Sequence, residues 1–292
     1  MPFWEYLDTE HSEDTDATPA SPNAPASPNI RIHYEVHDKT DGRGRPLLFL
    51  HGRGGNVLSW WQQMPFFAQH YRCIVIEQRG WGRSEGVLDA PWGEVFARDV
   101  HALVDELNLE TFAVVAQSMG GWTLSALCER LAARGQLERV TAAVMSGTVG
   151  GYVPAHLADT YDAYREKAYA QRSAWQQGNA SHPALAATTS EELQTLYSMI
   201  ARLNKPPQIV AGAPDTLARR ESFRVPDKTF FIAGEEDILC PPEIVRGVVS
   251  TLPTAQHTFL PNIGHSPYFE TAETFNALVS DFLQAAYPAK VD

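Results

Sequence analysis

Short, nearly continuous apolar runs punctuate the chain, and amphipathic stretches separate them. LLFL, RCIVIE, TFAVVAQ, RVTAAVMSGT, KTFFIAG and QHTFL are too short for ordinary helices. Their apolar character suits strands buried on both faces of a sheet. IRIHYEVH shows the two-residue period of a strand. A Gly-containing turn and then a helical pattern follow both RCIVIE and TFAVVAQ. Strands that alternate with helices predict an α/β fold with a mostly parallel central sheet and helices on both faces.

That rhythm breaks between Gly150 and about Val225. Here AHLADTYDAYREKAYAQRSAWQQ and SEELQTLYSMIARL are helical and aromatic, with no buried-strand run between them. The predicted organisation is a core over 30–149 and 226–292, with a helical cap inserted over 150–225. Residues 1–29 read as a flexible arm: His11 to Asn29 is rich in Ser, Thr, Asp, Ala and Pro and almost devoid of large apolar residues. Phe3, Trp4 and Tyr6 ahead of it read as a frayed end.

Composition narrows the function classes. With 292 residues, 44% of them apolar and 20% charged, the chain can bury a sizeable core. A formal net charge of -12 argues against nucleic acid as a partner, because phosphate binding needs clustered Lys and Arg. No apolar stretch approaches the roughly 20 residues of a membrane-spanning helix. The opening MPFWEYLDTEHSEDTD lacks the basic-then-apolar order of a signal peptide, so the expected location is cytoplasmic. Cys73, Cys128 and Cys240 are too few and scattered for a disulfide framework or zinc cluster, and buried free thiols are expected.

The candidate chemistry lies at the ends of the predicted strands. Ala116-Gln117-Ser118-Met119-Gly120-Gly121 follows one strand directly and opens a helix. A nucleophile elbow needs that tight turn and small residues two positions before and after the serine, which Ala116 and Gly120 supply. A serine at such a junction also suits a plain helix N-cap. His51-Gly52-Arg53-Gly54-Gly55 follows an earlier strand and offers backbone N–H groups to an oxyanion. Arg53 and Met119 are the candidate donors, with Gly54 as the substitute for Arg53. The Arg53 side chain is expected to point to solvent. Glu235, Glu236 and Asp237 end the strand KTFFIA within one turn, and sequence distance alone does not choose among them. His265 follows the last strand, where a general base would stand. Ser118, an acid and His265 thus occur in order, each beyond the C-terminal end of a strand, where open α/β sheets bind ligands.

These segments resemble the α/β-hydrolase superfamily, in particular its capped branch of carboxylesterases, enol-lactonases and carbon–carbon bond hydrolases. The resemblance covers nearly everything after Ile30. It rests on HGRGGN, EQRGWGRS, AQSMGG, GEEDILCPPE and NIGHSPYFE in the family's order. It implies Ser118 as nucleophile, Asp237 as the acid and His265 as the base, with no metal or organic cofactor required. Glu77 stands where such families commonly carry Asp, a position that shapes the neighbouring turn. A serine at the elbow argues against dehalogenases and epoxide hydrolases, which use Asp there. The expected activity is hydrolysis of small carboxylic esters or lactones through an acyl-enzyme on Ser118. Carbon–carbon bond hydrolysis and acyl or perhydrolytic transfer use the same triad. A ligand receptor on this fold is the non-enzyme alternative.

Overall fold

The computed structural model describes residues 3–6, 30–177, 182–205 and 223–289. Among them, the elements in chain order begin with β1 (Phe3–Tyr6), β2 (Ile30–His37), β3 (Arg45–Leu50), the short helix α1 (Met64–Phe67) and β4 (Tyr71–Ile76). Then come α2 (Trp92–Glu106), β5 (Phe112–Gln117), α3 (Met119–Ala132), β6 (Val140–Ser146), α4 (Ala158–Gln176) and α5 (Glu191–Arg202). The chain closes with β7 (Thr229–Gly234), α6 (Pro242–Val249), β8 (Gln256–Leu260), α7 (Pro267–Glu270) and α8 (Ala272–Ala286).

The eight strands form one sheet in the order β1-β2-β4-β3-β5-β6-β7-β8. β1 and β2 run antiparallel to their neighbours, and every pairing from β4 to β8 is parallel. Strand β5 is buried at all six positions, as the apolar run over 112–116 requires of a central strand covered on both sides. Side chains alternate between the two faces. Leu48, Leu50, Val114, Ala116 and Met145 meet α2, α3 and α6 on one face. Leu47, Phe49, Val115 and Val144 meet α1, α7 and α8 on the other.

The N-terminus departs from the expected arm. Phe3–Tyr6 is an edge strand paired with β2 from Phe3↔His33 to Tyr6↔Ile30, not a frayed end. The physical cause is local: Trp4 packs against the core cluster under the sheet, and Glu5 reaches the Arg31 guanidinium at 3.4 Å. The remainder of the predicted arm, 7–29, lies outside the described residues.

Helices α4 and α5 lie between β6 and β7. The segment around them has no separate hydrophobic centre among the described residues: Tyr161 joins the cluster of one face, Leu185 and Ile200 that of the other. Of the aromatics in this segment, Tyr152 stacks on Phe223, Tyr164 reaches Glu243 and Tyr169 is exposed. Trp175 and Tyr197 flank His182. Among the described residues, no helix is long and apolar enough to cross a membrane.

Candidate active site

The turn from β5 into α3 holds Ser118 at φ 48°, ψ -115°, a backbone region that non-glycine residues avoid and that stores about 1–3 kcal/mol of strain. Its side chain makes no capping bond to the helix, so the plain N-cap alternative does not describe it. The tight turn requires Gly120: a Cβ there would lie 2.8 Å from the carbonyl carbon of Leu50 and overlap its oxygen. The hydroxyl is free to face the C-terminal edge of the sheet.

There it meets His265. Ser118 Oγ stands 2.8 Å from Nε2 of the imidazole, and Nδ1 stands 2.8 Å and 3.0 Å from the two oxygens of Asp237. Asp237 is 3% exposed and His265 4%. The carboxylate is fixed independently, because Oδ1 also accepts the Leu239 and Cys240 backbone N–H groups, each at 2.8 Å. A carboxylate accepts only, so Nδ1 carries the hydrogen and Nε2 is left to accept from the serine hydroxyl. Glu235 and Glu236, the other two acids of that turn, are exposed, and Glu235 pairs loosely with Arg246 at 3.6 Å.

Further contacts hold the histidine loop. Gln117, the residue before the serine, donates to the His265 carbonyl at 3.2 Å. Gly147 sits beneath at φ 56°, and a Cβ there would come within 2.6 Å of that same carbonyl oxygen. Glu270 accepts the N–H groups on both sides of His265, from Gly264 at 3.1 Å and Ser266 at 3.0 Å. It also takes the Ala186 N–H at 2.7 Å and the Thr189 hydroxyl at 2.9 Å, both from the inserted segment.

The loop after β3 packs beside Ser118: a Cβ on Gly52 would lie 3.0 Å from Ser118 Cβ. Its conformation is set by His51, which is fully buried. Nε2 of that ring accepts the Gln78 N–H at 3.1 Å, so Nδ1 donates, to the Gly52 carbonyl at 2.8 Å. Burial lowers its pKa to about 4, and the ring is neutral at pH 7. Gln78 returns a bond to the His51 carbonyl at 2.7 Å and accepts from Thr123 on α3. The Gly52 carbonyl also accepts the Gly55 N–H at 3.0 Å. With that carbonyl held twice, the Arg53 N–H of the same planar peptide must point the opposite way. Met119 is the first residue of α3, so its N–H has no partner within the helix. The Arg53 side chain is exposed, and its guanidinium lies over the Trp92 ring, 5.2 Å from the centroid.

Two supporting elements stand behind the loops. Glu77 takes the Arg83 N–H at 2.6 Å and its guanidinium at 3.2 Å, and so shapes the turn that follows β4. Arg79 forms a buried bidentate pair with Asp99. All three cysteines are free and buried. Burial pushes the Cys128 thiol up to about 12 and raises those of Cys73 and Cys240 as well.

Parallel strands crossed by helices on both faces, with a serine elbow, a histidine loop and an acid turn at one edge, define the α/β-hydrolase architecture. The model of the alpha/beta hydrolase fold family matches residues 45–272, and the chain belongs to that family. It is 28% identical over 273 residues to the 2-hydroxymuconate semialdehyde hydrolase of Pseudomonas sp. strain CF600, covering 89% of this chain and 93% of that one. A shorter stretch of 91 residues is 34% identical to RutD of Agrobacterium fabrum and spans 35% of that protein's length. Among solved structures, a thermophilic esterase from Thermogutta terrifontis superposes with a TM-score of 0.69 at 23% identity, over 94% of this chain and 97% of that one.

Proposed function

We propose that the protein is a serine hydrolase of small carboxylic esters, lactones included, with Ser118 as nucleophile, His265 as general base and Asp237 as the acid that orients it. The observation that carries this reading is the unbroken chain Asp237–His265–Ser118, with 2.8 Å at each link. A ligand receptor has no need of a base within hydrogen-bond reach of a strained serine.

In this mechanism Ser118 Oγ attacks the substrate carbonyl carbon as His265 Nε2 takes its proton. The resulting oxyanion is stabilised by the N–H groups of Arg53 and Met119. Collapse of the tetrahedral adduct breaks the bond to the alkoxide, which receives the proton from Nε2. Water, deprotonated by the same nitrogen, then attacks the acyl-enzyme and releases the acid and Ser118. Asp237 stays ionised throughout and stabilises the imidazolium.

The inserted segment acts as a cap in this reading. Its support is attachment at the catalytic edge: Glu270 binds Ala186 and Thr189, and Asn56 donates to the Ile200 carbonyl at 3.1 Å. A second reading, hydrolysis of carbon–carbon bonds in ring-fission diketones, is favoured by the near full-length similarity to the Pseudomonas hydrolase. Assays of aryl esters, lactones and ring-fission diketones with one enzyme preparation separate the two. The ester reading predicts kcat/KM highest for a short-chain ester or lactone. Preference for a diketone by tenfold or more would replace it.

A further inference from the structure

Asn204, two residues beyond the end of α5, reaches from the inserted segment into the loop after β3 and the turn after β4. Its amide nitrogen donates to the Gly54 carbonyl at 2.7 Å, and its amide oxygen accepts the Gly82 N–H at 2.8 Å. Both ends of one amide are thus engaged by backbone groups of the core, a two-point bridge that no other residue type of that length supplies with the same polarity. The nitrogen also lies 3.1 Å from the Ala201 carbonyl, which holds the side chain against its own helix.

The bridge meets the oxyanion loop at the Gly54–Gly55 peptide, whose N–H donates to the Gly52 carbonyl and whose carbonyl accepts from Asn204. Gly54 has φ +84°, and a Cβ placed on it would find only the Ala201 Cβ, at 3.9 Å. Glycine in open space leaves the peptides on either side free to rotate. The upstream side of the loop is already held by His51 and Gly55 at the Gly52 carbonyl. The downstream side is held by Asn204. The Arg53 N–H belongs to the Gly52 peptide itself, and the single peptide between the two anchored ones carries the Gly54 N–H.

We infer that Asn204 is a positioning residue for ester hydrolysis: by fixing the Gly54 carbonyl it steadies the turn that presents the N–H groups of the oxyanion loop to the transition state. The inference rests on the serine-hydrolase reading above. Asn204 touches no reacting atom and acts through the loop. A misalignment of the donors by about 1 Å lowers turnover by up to about a hundredfold.

The test compares Asn204→Ala, the isosteric Asn204→Asp and a control on the exposed side of the same helix, Met199→Gln, in the full chain. Asn204→Asp retains the acceptor for the Gly82 N–H but turns a carboxylate oxygen toward the Gly54 carbonyl. Readouts are kcat and KM for a short-chain aryl acetate, the Ki of a trifluoromethyl ketone that forms a tetrahedral adduct on serine, and the thermal midpoint. The expected result is a fall in kcat of about ten- to a hundredfold for both Asn204 variants, with KM within about twofold. Affinity for the ketone falls in parallel with kcat, and Met199→Gln matches the parent. The inference is overturned if either variant keeps the parent's kcat, or if the loss appears only in KM and the thermal midpoint while ketone affinity is unchanged. A parent enzyme that neither cleaves the acetate nor binds the ketone overturns the serine-hydrolase reading and this inference with it. An active parent with equally active variants overturns this inference alone.

Discussion

Replacing Asp237 by Asn changes one atom and leaves the shape of the side chain intact. The outcome follows from the contacts of the carboxylate. Oδ1 accepts two backbone N–H groups, from Leu239 and Cys240, at 2.8 Å each, so the amide oxygen of the substituted side chain must occupy that position. The amide NH2 is thereby forced to the site of Oδ2, 2.8 Å from His265 Nδ1. Two donors cannot share that contact, and the remaining oxygen, 3.0 Å from Nδ1, already accepts two N–H groups, so the imidazole moves its hydrogen to Nε2. Nε2 then no longer accepts from Ser118. The wrong tautomer in a comparable triad lowers kcat by on the order of 10⁴, and for this site a loss between about 10³- and 10⁴-fold is expected, about 4–5.5 kcal/mol of barrier. The assay is kcat for an aryl acetate, with Glu235→Gln and Glu236→Gln as controls expected within a few fold of the parent because both side chains are exposed. Full activity in Asp237→Asn, or a crippled glutamine variant, refutes the assignment of the acid.

Two further outcomes follow from the packing and the buried histidines. Gly120→Ala places a methyl against the Leu50 backbone carbonyl. Backbone must move to admit it, so a destabilisation of about 1–3 kcal/mol is expected in denaturant unfolding, and an unchanged midpoint would contradict the tight packing of α3 on β3. His51 and His182 both have pKa values lowered to about 4, chiefly by burial, against about 6.5 in the unfolded chain. Between pH 6.5 and 4 the unfolded state binds more protons than the native one, so stability is complete above 6.5 and falls as the pH drops toward 4. His51 accounts for roughly 3 kcal/mol of that loss by linkage. Unfolding midpoints that stay flat across this window would show that neither ring is held neutral.

Strands β3 to β7 are legible because each is a local apolar run ended by a turn, and burial on both faces leaves few other sequences possible, whereas β8 at the sheet edge is partly exposed. Strand β1 is not legible, since its four residues stand apart from the core in sequence and are placed by pairing with β2, by Trp4 on the cluster and by Glu5 on Arg31. At the site, Ser118 and His265 are marked by short motifs at strand ends, and Asp237 emerged from its turn through family resemblance rather than spacing. Gln78, Asn204 and Glu270 carry no such mark. Each works through polar contacts with residues distant in sequence, such as Gly54 for Asn204 and Ala186 for Glu270, and no periodicity reports such a contact. Gln78 and Glu270 do lie within the segments EQRGWGRS and NIGHSPYFE, and position is their one signal in the sequence.

The central claim is that Ser118 is the activated nucleophile, and reaction with a fluorophosphonate probe, mapped by mass spectrometry of the digested protein, tests it most directly. The prediction is one probe per chain, on Ser118, abolished in a folded Ser118→Ala variant and slowed in Asp237→Asn. Ser125 and Ser146 are fully buried and should stay unmodified. Labelling at either of them, or no labelling of the native protein at all, would contradict the account.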